Sequence, residues 1–121
     1  MNQNLTKEQK NVLFNKATEA PFSGKFLDHK EGGVYTCVNC GQELFSSQTK
    51  YDSHCGWPSF YDIYKKGNIN FNQDVSHEME RIEVTCSNCG GHLGHMFEDG
   101  PTETTGKRYC INSLSLDFKK T

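Results

Sequence analysis

Cys37-Val38-Asn39-Cys40-Gly41 recurs almost unchanged as Cys86-Ser87-Asn88-Cys89-Gly90. Each Cys-x-x-Cys lets two sulfurs converge on one ion, and the following glycine permits the tight turn that brings them together. The two knuckles offer four thiolates, a closed tetrahedral set suited to one Zn²⁺ per chain. The other reading, a pair of redox Cys-x-x-Cys motifs, needs a strand-to-helix setting that the flanking sequence lacks. The long gap between the knuckles means that the metal clamps two hairpins distant in sequence. An ion with four protein ligands has no open position for water, so its role is structural.

Working outward from the knuckles, the composition shows why such a clamp is useful. The chain has 121 residues, only 34% of them hydrophobic, with a mean hydropathy of −0.75. That length suits one domain over 1–121, and a core built from so few apolar side chains is thin. The net charge of −2 gives no basic footprint for nucleic acid. Met1-Asn2-Gln3-Asn4 is polar and no apolar h-region follows it. No run is long enough to span a membrane, and the chain is expected to be cytoplasmic. In a reducing compartment six cysteines point to metal binding or thiol chemistry rather than a disulfide framework.

The flanking patterns predict a mainly β protein. Leu5 to Ala20 reads as one amphipathic helix, with Thr6 and Gln9 as a capping box and Pro21 as its stop. Strands are predicted over 33–37, 43–46, 68–71, 81–86, 92–97, 108–112 and 113–118. Short strands with Gly-rich turns indicate an antiparallel sandwich or barrel.

Two cysteines remain after the knuckles. Cys55 lies in His54-Cys55-Gly56-Trp57-Pro58-Ser59-Phe60, a stiff loop that presents a large aromatic face. Cys110 lies in Arg108-Tyr109-Cys110-Ile111-Asn112, between a cation and an amide. The pair can form a transient disulfide, or the two can be inert small hydrophobes. A thiol site needs an acid–base group, and Gly91-His92-Leu93-Gly94-His95-Met96-Phe97-Glu98-Asp99 supplies two histidines. Three apart on a regular strand, His92 and His95 face opposite ways, so a bend at Gly94 is needed to bring them to one site. His29 and His77 have no such setting and read as surface residues. Two other readings are a non-catalytic zinc-ribbon module and a zinc hydrolase using His92 and His95, for which the four cysteines leave no open metal position.

Taken with Pro21-Phe22-Ser23-Gly24 and Ser113, these motifs resemble the B-type methionine sulfoxide reductases over nearly the whole chain, from about residue 6 onward. The resemblance implies two antiparallel sheets forming an irregular barrel, with zinc at one end. It implies thiol-dependent reduction of methionine-R-sulfoxide, protein-bound or free, and hence repair of oxidative damage. Cys110 corresponds to the nucleophile, His95 and His92 to the site histidines, and His95 to the first choice of proton donor. Cys55 corresponds to the resolving cysteine, which forms a disulfide with Cys110 that thioredoxin reduces. Trp57 corresponds to the wall that receives the substrate methyl, with Phe97 beside it. Asp99, Arg108 and Asn112 correspond to residues that orient the histidines and the water. The implied protein is a monomer, with no nucleic-acid or membrane partner. One departure is His54, where many members have glycine. It is expected either to make the loop at the resolving cysteine less mobile or, when charged, to lower the pKa of Cys55, and in both cases to affect recycling more than the reductase step.

Overall fold

The computed structural model describes residues 1–75 and 80–121. Among these residues one helix, α1 (Lys7–Asn15), precedes nine strands. They are β1 (Gly33–Cys37), β2 (Glu43–Ser46), β3 (Lys50–Tyr51), β4 (Ser59–Phe60), β5 (Ile69–Asp74), β6 (Arg81–Cys86), β7 (His92–Phe97), β8 (Arg108–Ile111) and β9 (Leu116–Lys120). The strands form two antiparallel sheets, a small one in the order β2-β1-β9 and a larger one in the order β3-β4-β8-β7-β6-β5. The mainly β, two-sheet reading therefore holds, with the short helix at the N-terminal end.

The helix is shorter than its periodicity predicts. Its start is as expected: Thr6 Oγ1 accepts from the Gln9 amide at 3.1 Å, and Gln9 Oε1 accepts from the Thr6 amide at 2.8 Å. It ends because Lys16 turns left-handed, with φ 57°, and the Ala17 amide closes back on Asn11 O at 3.1 Å. Residues 16–20 leave the helix, and Glu19 makes a tertiary bond with Asn112 instead. At the other end of the chain, the alternating stretch 113–118 is not one strand. Ser113–Ser115 form a 3-10 turn before β9, because Ser115 Oγ donates to His92 O at 2.8 Å and Ser113 Oγ accepts from the Phe26 amide. Hydroxyls that satisfy backbone groups of other segments look polar and alternating in sequence. β8 ends at Ile111, one residue short of the expected limit, and β5 runs on to Asp74.

Aromatic packing makes up for the scarcity of aliphatics. Tyr35, Leu44 and Phe45 from the small sheet meet Phe60, Val84, Leu93 and Ile111 from the larger one in a single core. Phe45 stacks on Phe60 with centroids 4.5 Å apart, and Tyr35 meets Phe60 edge-on at 5.2 Å. His29 belongs to this layer and is not a free surface residue. Its ring lies 4.4 Å from that of Phe118, and Nδ1 is 2.8 Å from the Tyr35 hydroxyl. A histidine ring is aromatic enough to pack there while its nitrogens keep a polar partner. His77 lies outside the described residues.

Candidate active site and metal-ligand cluster

Strand pairing assembles the site. β8 lies between β4 and β7, so Cys110 has Ser59 as its register partner on one side and His95 on the other. The loop leading into β4 carries Cys55, and pairing brings its sulfur to 3.4 Å from that of Cys110. Both thiols are free and half-buried. Cys110 also lines a small cavity of about 90 Å³ with Thr18, Trp57, Arg81, Gly94, His95, Phe97 and Asn112. The structure thus brings Cys110, Trp57, His95, Phe97 and Asn112 together around one opening. His92 lies behind it, 2% exposed.

The histidine geometry depends on a bulge. Thr85 pairs with His92 and Val84 with Gly94, so Leu93 is an extra residue on β7. That insertion changes the alternation and brings the His92 and His95 rings to 5.4 Å, edge to face. The expected bend is present, just before Gly94 rather than at it. Gly94 serves a different need. A Cβ there would lie 2.0 Å from the carbonyl oxygen of Cys110, so only glycine lets β7 approach β8 this closely.

Each histidine is held by an acid that the sequence did not single out. His92 Nδ1 is 2.8 Å from Glu83 Oε2, and Lys16 Nζ lies 3.3 Å from the other carboxylate oxygen. His95 Nε2 is 2.8 Å from Asp74 Oδ2. Burial pulls the His92 pKa below its ordinary value, against the Glu83 carboxylate, so the neutral ring is favoured there. An acidic residue in the middle of the buried strand Arg81–Cys86 was the available signal for Glu83. Asp74 had none, because a strand end gives no periodic clue.

Asp99 and Arg108 pair with each other, and Asn112 bonds to backbone groups. Arg108 makes a forked pair with Asp99, at 2.8 and 3.1 Å, and its guanidinium covers the Phe97 ring at 4.3 Å. The arginine holds the Asp99 carboxyl below the usual carboxylate range. Asn112 is buried; its amide donates to Leu93 O at 3.0 Å and its oxygen accepts from the Glu19 amide at 3.0 Å. Glu19 O in turn accepts from Trp57 Nε1 at 3.0 Å. Asn112 therefore fixes the tryptophan through Glu19, a residue hidden in sequence by its placement in the expected helix.

The two site thiols differ electrostatically. Hydrogen bonding from Cys110, then from Ser53 and Ser59, outweighs burial and pulls the Cys55 thiol down to about 4. The same contact, with burial, pushes Cys110 up, and the Arg108 cation opposes that rise. In the reduced pair the charge rests on Cys55. Beside it, His54 has φ 62° and an exposed ring 3.4 Å from Asp52, so the departure from glycine does place a strained residue in this loop.

The knuckles form a separate cluster. The Gly41 amide donates to Cys37 O and the Gly90 amide to Cys86 O, both at 2.8 Å. Both glycines have positive φ, 82° and 78°. Open space surrounds them, so backbone conformation and not crowding requires glycine. All four sulfurs lie within 4.8 Å of one another and could hold a metal ion. Cys37 and Cys89 are 3.6 Å apart, and Cys40 and Cys86 3.5 Å. A tetrahedral zinc with bonds near 2.3 Å spaces its sulfurs about 3.8 Å apart, so the donor set fits that ion. No helix among the described residues is long and apolar enough to cross a membrane.

Comparison with known proteins matches a model of the SelR domain to residues 5–120. A peptide methionine sulfoxide reductase MsrB from Methanosarcina barkeri is 62% identical over 115 residues, covering 95% of this chain and 80% of that protein. The MsrB of Methanosarcina mazei is 60% identical over 96% of this chain and 82% of its own length. That of Escherichia coli (strain K12 / DH10B) is 52% identical over 98% and 85%. Among solved structures, the Mis18 "Yippee-like" domain superposes with a TM-score of 0.55, at 17% identity, covering 75% of this chain and 98% of that one. At that identity the likeness is one of fold alone.

Proposed function

Because this chain belongs to the SelR-domain family of B-type methionine sulfoxide reductases, and is an enzyme that reduces methionine sulfoxide, we propose that Cys110 is its nucleophile and Cys55 its resolving cysteine. The observation that carries the proposal is the position of Cys110. It lines a cavity with Trp57 and His95, and its sulfur lies 3.4 Å from a second thiol.

The reaction follows from these groups. A sulfoxide sulfur is pyramidal, so a wall for its methyl and a donor for its oxygen select one hand, the R epimer. Trp57 and Phe97 supply the wall. Charge reaches Cys110 when its proton passes to Cys55, and the Arg108 cation favours that state. The Cys110 thiolate attacks the sulfoxide sulfur, His95 protonates the departing oxygen, and His92 holds the second ring behind it. Methionine leaves, and Cys110 is left as a sulfenic acid. Cys55 attacks that sulfur, hydroxide leaves as water, and a disulfide forms. Thioredoxin reduces it by thiol–disulfide exchange. Substrates are oxidised proteins or peptides, with free methionine sulfoxide as a further one. We assign zinc to the four-cysteine cluster, where it ties the two hairpins together. We also infer that the enzyme acts as a monomer in the cytoplasm.

The test is one turnover on an R-sulfoxide peptide without external reductant. Wild type releases methionine and gains a Cys55–Cys110 disulfide by mass spectrometry. Cys110→Ser releases none. Cys55→Ser completes one turnover but does not cycle with thioredoxin. Methionine release by Cys110→Ser would overturn the assignment of the nucleophile.

A further inference from the structure

We propose that Phe22, which does not line the substrate cavity, is a positioning residue: it pins the loop that carries Trp57 and so sets how tightly the sulfoxide is held. This deepens the reading given above and rests on Trp57 as the wall for the substrate methyl. Phe22 is an anomaly in the fold. Its ring is 69% exposed, so burial in the core does not explain it. Its backbone is left-handed, with φ 64°, in the two-residue turn Pro21-Phe22. A turn of proline followed by a left-handed residue favours glycine at the second place. An aromatic there gains neither burial nor conformational ease, and such strain persists only where the surrounding structure imposes it.

What Phe22 touches supplies the reason. Its amide donates to Gly56 O at 2.7 Å. A Cβ built on Gly56 would lie 3.2 and 3.3 Å from Cε2 and Cδ2 of the Phe22 ring, and 2.7 Å from Pro21 Cβ. Pro21 and Phe22 therefore occupy the space that a side chain at 56 would need, and Gly56, with φ 96°, is buried. Three residues earlier in the same segment, Glu19 O accepts from Trp57 Nε1 at 3.0 Å. The loop is thus held at the peptide that enters Trp57 and again at the tip of its indole. Both holds come from residues 19–22, and Ser23 Oγ closes that segment on Ala20 O at 2.5 Å. The Glu19 end is anchored in turn, its amide donating to Asn112 Oδ1 and its carboxylate accepting from the Leu114 amide at 2.9 Å. At the other end the ring secures the hold. An amide–carbonyl bond near the surface competes with water, and an apolar cover over Gly56 excludes that competitor. A wall that drifts weakens substrate binding before it slows the chemistry of Cys110, which stands on β8. Cys55, on the other side of Gly56, must close its 3.4 Å gap to Cys110 for the disulfide to form. A fixed Gly56 lets it do so with Trp57 in place.

Trp57 is the only tryptophan, so its fluorescence reports on the clasp directly. Phe22→Gly keeps the amide and suits the left-handed backbone while removing the ring. Phe22→Ala removes the ring and keeps the strain, and Phe22→Tyr keeps the ring. Acrylamide quenching of Trp57 and single-turnover methionine release from an R-sulfoxide peptide are measured for each. In Phe22→Gly the quenching constant is expected to rise about twofold and the half-saturating peptide concentration about tenfold, with the saturated rate within about twofold of wild type. Phe22→Ala should behave alike with a lower urea midpoint than Phe22→Gly, and Phe22→Tyr should match wild type. Wild-type quenching in Phe22→Gly overturns the proposal, and if half-saturation rises all the same, the ring meets the substrate itself. Raised quenching at wild-type half-saturation overturns it too, because the clasp then has no bearing on binding. If Trp57→Ala leaves half-saturation unchanged, the reading of Trp57 as the methyl wall fails instead.

Discussion

Gly94→Ala is a sharp test of how the fold sets the chemistry. A Cβ at that position would lie 2.0 Å from Cys110 O and 3.0 Å from Ile111 Cα, all backbone of β8. Ordinary contact begins near 3.4 Å, so the strands must part by more than an ångström. No side chain can swing away to absorb it. Overpacking of this kind costs about 1–3 kcal/mol. The catalytic cost should be larger, because Gly94 precedes His95, and His95 is paired in register with Cys110. Misplacing reacting groups by about 1 Å lowers a rate on the order of 10²-fold. Urea unfolding gives the first number, and rapid-quench measurement of methionine release in a single turnover gives the second. A folded Gly94→Ala enzyme with wild-type stability and rate would show that the close approach of β7 and β8 has no bearing on the reaction.

Glu83→Gln removes the charge between Lys16 and His92, and should lower stability by about 1–3 kcal/mol because an amide N–H₂ replaces one of the two buried oxygens that they share. Its single-turnover rate should fall about tenfold or more, and a folded variant at full rate takes Glu83 out of the site. Elemental analysis should find about one zinc per chain, and chelation should lower Tm. A folded, metal-free protein of equal Tm refutes the clamp. For the thiols, a pKa pulled down to about 4 means that Cys55 is ionised above that pH and loses its charge as pH falls through it. Its alkylation should therefore stay level from about pH 8 to about pH 5. Cys110→Ala removes the largest cause of that lowering, so the midpoint should move up toward the ordinary thiol range. Superimposable profiles would contradict the shared-proton account.

Features with a short-range code were legible in the sequence. The knuckles combine fixed spacing with a glycine in the turn, and β1, β2, β6 and β7 alternate or carry buried runs between clear turn residues. The bounds of these strands agree with expectation. The helix did not, since Ala17 and Ala20 continue an apolar rhythm while Lys16 turns the chain out of it and Glu19 bonds to a residue 93 positions away. The site divides the same way. Cys55, Trp57, His92, His95 and Cys110 stand in dense, unusual motifs. Glu83, Asp74 and Glu19 matter through partners that only the folded chain supplies, and so does the pairing of Asp99 with Arg108. Histidine supports are set by register and by the Leu93 bulge, neither of which has a local signature.

The Asn112 bridge also bears on when activity can first arise. That one side chain joins residues 19 and 93, and Trp57 takes its place through the same link. Residues 108–120 supply an inner strand of the larger sheet and the strand beside β1 in the smaller one. Contacts this distant in sequence close slowly, because the loop entropy is lost before the packing is gained. A growing chain that lacks this segment has neither sheet complete, no seated tryptophan and no Cys110. The nucleophile thus arrives with the strand that completes its own pocket, and Cys55 has no partner thiol at 3.4 Å until the fold around both exists.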